Sequence, residues 1–134
     1  MFESLQYQAD AGVGVLTLNR PERLNAVNGA MASEIETLAR QLRDDATLRA
    51  LIVTGAGRVF CAGADIAALD TLKSADAAYR FLESLQVAFN AIEALPMPTI
   101  AAVHGLAFGG GCELALACDF RILGEEARLG VPEI

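Results

Sequence analysis

A run of three glycines between an apolar strand and an apolar helix constrains this chain more than any other feature. Gly109, Gly110 and Gly111 follow the apolar segment 99–103 and stand just before Glu113. Glycine lets a backbone approach a ligand closely, and the first turn of a helix leaves N–H groups without partners. The run therefore predicts a site for a negatively charged oxygen, with a carboxylate one turn away to transfer protons. A structural alternative stays open, in which the glycines only let the helix pack tightly on a sheet.

Strand and helix patterns alternate along the chain and predict an α/β fold built from β-β-α units. The predicted strands cover residues 5–8, 13–18, 50–54, 99–103, 120–123 and 128–131. The predicted helices cover residues 29–47, 66–71, 77–95 and about 112–117. Asp65 is placed to cap the short second helix, and residues 73–76 are polar and predict a loop. No low-complexity linker divides the chain, so we expect one domain.

Charge and cysteine content exclude several classes of function. A net charge of −7 disfavours nucleic-acid binding through a general basic surface. No apolar run reaches the ~18 residues of a membrane span, and the N-terminus lacks the pattern of a secretion signal. We therefore expect a cytoplasmic protein with no membrane partner. Cys61, Cys112 and Cys118 show no C-x-x-C spacing, which predicts buried, reduced thiols and neither disulfides nor a metal site.

Several other chemistries are disfavoured by the residues around the glycine run. His104 is the single histidine and has no cysteine or histidine at metal-ligand spacing, so we expect a packed or hydrogen-bonded side chain. Asp119 is expected to bond to backbone or to a neighbouring arginine. The run is not a dinucleotide loop, because Leu114 stands where the third glycine of that motif would be. No histidine is placed in sequence to activate Cys61 or Cys112 as a nucleophile.

Four segments together resemble the crotonase, or enoyl-CoA hydratase/isomerase, superfamily. They are residues 19–26 (NRPERLNA), 59–66 (VFCAGADI), 109–119 (GGGCELALACD) and 129–134 (LGVPEI). Each is a weak signal alone, but all four occur in the order and spacing of that family across essentially the whole chain. The resemblance implies a spiral of β-β-α turns that binds acyl-CoA thioesters.

The resemblance also implies catalytic roles. The backbone N–H groups of Ala64 and Gly110 would hold the oxygen of a thioester enolate, where each donor contributes a few kcal/mol. Glu113 and Glu133 match the two glutamates of members that hydrate enoyl thioesters, one acting as base and one as acid. Which of them starts protonated stays open. Without the resemblance, a partner of the helix dipole explains Glu113 equally well. For Pro132-Glu133, the start of a helix would then be the better explanation.

The resemblance places coenzyme A along two loops and the start of a helix. The implied contacts, largely through backbone, are Leu24, Ala26, Ala62, Gly63, Ala64, Asp65, Ile66 and Gly110. The CoA phosphates could meet Arg23, Arg58 and Lys73, although solvated surface charges are the alternative. The acyl group could meet Leu69, Leu72 and Phe108, although core packing is the alternative.

Members of this family are about twice as long as this chain. We therefore expect residues 1–134 to be the N-terminal part of one core domain, truncated before the C-terminal helices that build trimers or hexamers. The implied activity is reversible addition of water to a 2-enoyl-CoA, with no metal or redox cofactor, because coenzyme A is part of the substrate. The alternatives are a Δ3-Δ2 enoyl-CoA isomerase, another acyl-CoA enzyme of this fold, and an inert fragment or CoA-binding module.

Overall fold

Five strands form the main sheet of the computed structural model, which describes residues 1–132. They are β1 (Leu5–Asp10), β2 (Val13–Leu18), β3 (Ala50–Gly55), β4 (Thr99–Val103) and β6 (Phe120–Leu123), side by side in the order β1-β2-β3-β4-β6. The first pair is antiparallel and the other three pairs are parallel. Ala11 and Gly12 turn the hairpin between β1 and β2 with φ of 51° and 82°, as a tight two-residue hairpin turn requires.

Four α-helices connect and cover these strands. They are α1 (Gly29–Arg43), α2 (Ile66–Asp70), α3 (Ala75–Glu93) and α4 (Gly110–Ala117), and a 3₁₀ turn covers Pro21–Arg23. The two long helices pack against each other, because each carries an apolar stripe at helical spacing. The buried side chains of those stripes include Met31, Ile35, Leu38 and Leu42 on α1 and Leu85, Phe89 and Ile92 on α3. The helices predicted over residues 29–47 and 77–95 are confirmed apart from their exact ends.

A small second sheet places the glycine run. Strand β5 (Leu106–Phe108) pairs in parallel with β7 (Arg128–Gly130), and an isolated bridge joins Cys61 to Ala107 of β5. The N–H of Gly109 donates to the carbonyl of Gly130 at 2.9 Å. The loop at 61–65 is therefore bridged to β5, and the start of α4, which follows β5 directly, is bonded to β7.

Some predicted boundaries were wrong, and the structure shows the cause in each case. The loop predicted at 73–76 contains a helix start, because the Ser74 hydroxyl accepts from the N–H of Ala77 and α3 begins at Ala75. The first helix ends at Arg43 instead of 47, where Asp45 accepts from the N–H of Thr47 and closes a turn.

Among the helices of residues 1–132, none has both the length and the apolar character of a membrane span.

Candidate active site

The glycine run holds the start of α4 in close contact with the loop at 61–65. Gly109 has φ 53° and ψ −118°, a conformation that side chains other than hydrogen strongly disfavour. A methyl group added at Gly111 would lie 2.2 Å from the carbonyl oxygen of Cys61, and one added at Gly110 would lie 3.4 Å from the nitrogen of Ala64. Both contacts bring the backbone of the helix start against the backbone of the loop.

The direction of the Ala64 amide is fixed by a bridge to the segment before α1. Val27 donates its N–H to the carbonyl of Gly63 at 2.8 Å, and its own carbonyl accepts from the N–H of Asp65 at 2.9 Å. In a parallel bridge of this kind, the residue between the two bonded positions directs its own N–H to the opposite side. The N–H of Ala64 therefore points away from Val27, on the side where Gly110 lies.

The second amide of interest is the N–H of Gly110. It is the first residue of α4, whose first N–H groups have no carbonyl partner within the helix. Within residues 1–132, neither this N–H nor that of Ala64 donates to a backbone carbonyl. A methyl group added at Gly63 would lie 3.6 Å from the Gly110 nitrogen. Two donor groups from loops far apart in sequence are thus close neighbours.

A cavity of about 710 Å³ opens in front of these amides. This volume is within the usual range for a small-molecule site. Its lining comprises Ala62, Gly63, Ala64, Ile66, Leu69, Tyr79, Leu82, Glu83, Leu85, Gln86, Gly109, Gly110, Glu113 and Pro132. Most of the surface is apolar, contributed by α2 and α3, and the polar groups come mainly from the glycine run and three acidic or amide side chains.

Glu113 lies in the first turn of α4 and lines the cavity together with Ala64 and Gly110. Glu113 is exposed. Pro132 reaches the same cavity. Glu133, the other acid that the resemblance implies, lies outside the described residues. The structure thus brings Ala64, Gly110 and Glu113 to one cavity.

Asp65, the last residue of the loop at 61–65, is buried and forms an ion pair. Its carboxylate accepts from the N–H of Ala68 at 3.2 Å, which is the predicted helix cap, and from the guanidinium of Arg20 at 3.1 Å. Burial raises the pKa of this carboxyl, but these hydrogen bonds and the charges of Arg20 and Arg23 outweigh burial and lower the pKa below its usual value. Asp65 therefore stays ionised and anchors the start of α2.

Sequence reasoning assigned no role to Asn25, which connects two loops near the site. It is fully buried with φ 57°, and its amide donates to the carbonyls of Ala56, Val59 and Phe60 at 2.8 to 3.2 Å. Its Oδ1 accepts from the N–H of Arg20 at 2.9 Å. The sequence offered one signal for such a role. Asn25 lies between predicted elements, in a segment that resembles a family motif.

Only some of the remaining residues predicted to meet CoA or the acyl group line the cavity. Ile66 and Leu69 line it, whereas Leu72 and Phe108 do not. Leu24 and Ala26 belong to the segment bonded to the loop, and the carbonyl of Leu24 accepts from the N–H of Ala62 at 2.9 Å. Arg23 lies 3.7 Å from the Asp65 carboxylate. Arg58 and Lys73 are exposed.

The thiols and the histidine have structural environments. All three cysteines are free and buried, and burial raises the pKa of Cys61 and of Cys118 to about 11, so both stay protonated near neutral pH. The Nε2 atom of His104 lies 3.0 Å from the carbonyl oxygen of Gly57, and Asp119 accepts from the N–H of Thr99 at 3.0 Å. Within residues 1–132, no group of three His, Cys, Asp or Glu side chains could hold a metal ion.

Comparison with known proteins identifies relatives along nearly the whole chain. Residues 8–134 match the family model described as enoyl-CoA hydratase/isomerase. The chain is 43% identical over 133 residues to a probable enoyl-CoA hydratase of Mycobacterium tuberculosis. The matched region covers 99% of this chain and 51% of that relative. It is also 43% identical over 134 residues to a crotonyl-CoA hydratase of Syntrophomonas wolfei, with the same coverage. The chain thus spans about half the length of the curated relatives it matches.

Solved structures agree. An enoyl-CoA hydratase from Bacillus anthracis superposes with a TM-score of 0.94 at 36% identity, over 98% of this chain and 51% of that one. An enoyl-CoA hydratase/carnithine racemase from Magnetospirillum magneticum superposes with a TM-score of 0.93 at 34% identity, over 98% and 50%. The predicted family and the α/β fold class are confirmed. The chain belongs to the enoyl-CoA hydratase/isomerase family and has the crotonase fold.

Proposed function

We propose that the protein is an enoyl-CoA hydratase-type lyase, which adds water reversibly across the double bond of a 2-enoyl-CoA. The observation that carries this proposal is the proximity of two backbone amides, at Ala64 and Gly110, in a cavity that Glu113 also lines. Amides aimed at one oxygen stabilise the charge of an enolate as it forms.

The reaction follows from this arrangement. The thioester carbonyl accepts hydrogen bonds from the N–H groups of Ala64 and Gly110, so electron density can move from the double bond onto that oxygen. Water forms a new C–O bond at the β carbon as a glutamate removes its proton. The enolate then takes a proton at the α carbon, and the 3-hydroxyacyl thioester results. Glu113 and Glu133 share these proton transfers, with no metal ion or redox cofactor needed.

The CoA moiety would lie along Ala62, Gly63, Asp65 and Ile66 and the neighbouring residues Leu24 and Ala26. This part of the proposal is supported by the cavity, which the loop and Ile66 line, and by the hydrogen bonds that join the loop to the segment at 24–27. We further propose assembly into trimers or hexamers, as the family resemblance implies, which sedimentation of the protein as its gene encodes it would measure.

The test is the variant Glu113→Gln in the protein as its gene encodes it. The amide cannot accept a proton, so we expect hydration of crotonyl-CoA to fall by about 10² to 10⁴. Binding of the saturated analogue butyryl-CoA should be retained. Glu93→Gln is the matched control, because Glu93 is an exposed residue at the far end of α3, and its rate should be unchanged. A wild-type protein that neither binds butyryl-CoA nor hydrates crotonyl-CoA would contradict the proposal.

The second candidate function is an enoyl-CoA isomerase, which can work with one carboxylate. The family model that matches the chain covers both hydratases and isomerases. Measuring double-bond migration in 3-enoyl-CoA with the same variants separates the two. If double-bond migration persists in Glu113→Gln and stops in Glu133→Gln, the protein is an isomerase.

A further inference from the structure

We propose that Arg20 is a positioning residue that holds the Ala64 amide in its donor orientation. The inference rests on the proposed function, in which that amide binds the thioester oxygen. Arg20 stands 45 residues from its carboxylate partner, Asp65, and lines no part of the cavity. It therefore acts through the loop rather than on substrate.

The first step is the position of Arg20 across the bridge. Its Nη1 donates to the carbonyl of Ala26, and its Nη2 donates to the Asp65 carboxylate at 3.1 Å. Ala26 and Asp65 immediately flank the bridged pair Val27 and Ala64, one on each strand. One planar guanidinium thus joins both strands of the bridge beside the Ala64 amide. The compact ammonium group of a lysine lacks this planar fork of donors.

The second step is burial. The side chain of Arg20 is 16% exposed and that of Asp65 is 7% exposed, so water screens this pair weakly compared with a surface pair. Arg23, the other cation near Asp65, is 48% exposed and 3.7 Å away, and substitutes poorly for Arg20.

The third step is that Arg20 is itself held in place. Its N–H donates to Oδ1 of Asn25, and its carbonyl accepts from the N–H groups of Arg23 and Asn25, each at 2.9 Å. The backbone that carries the guanidinium is therefore anchored in the turn at 20–25. Displacing the guanidinium would remove the side-chain connection between the loop at 62–65 and the segment at 24–27, and leave only their backbone hydrogen bonds.

The test uses a chromophore that reports on carbonyl polarisation. The CoA thioester of 4-(dimethylamino)cinnamic acid is a donor–acceptor chromophore, so its absorption moves to longer wavelength when the thioester oxygen accepts hydrogen bonds. We expect a red shift on binding to the wild-type protein as its gene encodes it. At saturation, Arg20→Gln should show less than half of that shift, and Arg20→Lys, which keeps the cation, should show an intermediate shift.

Kinetics give a second readout. Misplacement of a catalytic group by about 1 Å can cost 10²-fold, so we expect kcat for crotonyl-CoA to fall about 10- to 100-fold in Arg20→Gln, with KM changing much less. Asp65→Asn removes the other half of the ion pair while keeping an oxygen to cap Ala68, and should reproduce the loss. The double variant should be no slower than the slower single variant, because both act through one connection. Arg40→Gln, which removes an exposed pair with Glu36 on α1, is the control.

Hydrogen exchange separates failure of this proposal from failure of the proposed function. Arg20→Gln should accelerate exchange at the bonded amides of Val27 and Asp65, and Arg40→Gln should not, whether or not the protein binds acyl-CoA. A wild-type protein without a red shift contradicts the proposed function alone. The positioning role is overturned if saturated Arg20→Gln shows the same red shift as the wild type. Where the variant cannot be saturated, unchanged hydrogen exchange at Val27 and Asp65 overturns it. If Arg20→Gln does not fold, the same outcomes in Asp65→Asn decide it.

Discussion

Each glycine of the run has its own physical requirement. Gly109 needs its positive φ, Gly110 leaves open the space beside the Ala64 nitrogen, and Gly111 lies against the carbonyl of Cys61. The packing explanation therefore accounts for Gly111. Close approach to a ligand stays a prediction for Gly110.

Alanine at Gly111 should be strongly destabilising. Its methyl group would lie 2.2 Å from the Cys61 carbonyl oxygen and 2.9 Å from the carbonyl carbon, so backbone has to move, at a cost of about 1–3 kcal/mol or more. The matched control is Gly29→Ala at the start of α1, where an added methyl meets no atom within 4 Å and should be neutral or stabilising by roughly 0.5–1 kcal/mol. Urea unfolding of both variants measures the difference, and equal midpoints would contradict it.

Single-residue roles were predictable from sequence only where they are local. Asp65 was predicted as a helix cap because its partner, Ala68, lies three residues away. Its ion pair with Arg20 was not predicted, because the two residues are 45 positions apart and no periodic pattern connects them. A buried aspartate requires a cation or several donors, but nothing local identifies which of nine arginines supplies it.

At the scale of elements, one asparagine amide holds the loop that follows β3. Asn25 donates to the carbonyls of Ala56, Val59 and Phe60. A loop carbonyl without a donor would be costly in this buried position. The segment before α1 is thus connected to the loop that leads into the site, although neither segment is regular secondary structure.

The same substitution at two asparagines should change stability by very different amounts. Asn25→Asp places a carboxylate oxygen against three carbonyl oxygens in a fully buried position, so we expect a loss of about 3 kcal/mol or more. Asn28→Asp keeps an oxygen that accepts from the N–H of Met31 at the start of α1, and should change stability by less than about 0.5 kcal/mol.

Equilibrium unfolding of both variants at neutral pH and in acid tests this contrast. Burial should raise the pKa of the new carboxyl at position 25, so protonation should recover part of the lost stability as pH falls. Similar losses at both positions would show that the amide of Asn25 is not essential to the loop.

Regular elements were predicted where periodicity extends over several turns. The long helices were found because Met31, Ile35, Leu38 and Leu42 repeat at helical spacing over α1. Strand β5 was missed, because three residues carry no period and its stability depends on pairing with β7, about 20 residues later. The start of α4 was placed two residues late, because glycine has low helix propensity and tertiary packing against Cys61 overrides it.

At the scale of the whole molecule, the candidate site is assembled from segments that only the fold brings together. Ala64 and Gly110 are neighbours because β5 is bridged to Cys61 and α4 follows β5 directly. Local patterns predicted a strand, a glycine turn and a helix, but the pairing of the two amides came from the resemblance of four segments to one family. Their catalytic role, and that of Glu113 and Glu133, stays a prediction for the experiments proposed above.

The apolar edge strand of the main sheet should make this 134-residue chain self-associate. Strand β6 is at the edge of the main sheet, and Phe120, Ile122 and Leu123 are 59%, 66% and 45% exposed. Apolar edge strands pair readily with other chains. The net charge of −7 opposes association by repulsion. Salt weakens that repulsion, because the screening length is about 8 Å at physiological ionic strength. Association measured by sedimentation should therefore grow with both protein and salt concentration.

A charge on the edge strand should reverse this behaviour. Ile122→Lys introduces the residue that natural edge strands use against pairing, so we expect a several-fold weaker association. Val87→Lys is the matched control, because Val87 is 40% exposed on α3 and offers no backbone edge. Because both variants change the net charge equally, a difference between them isolates the edge from general electrostatics. Equal weakening would instead assign the association to charge, and a chain that stays monomeric at high salt would rule out the edge as an association surface.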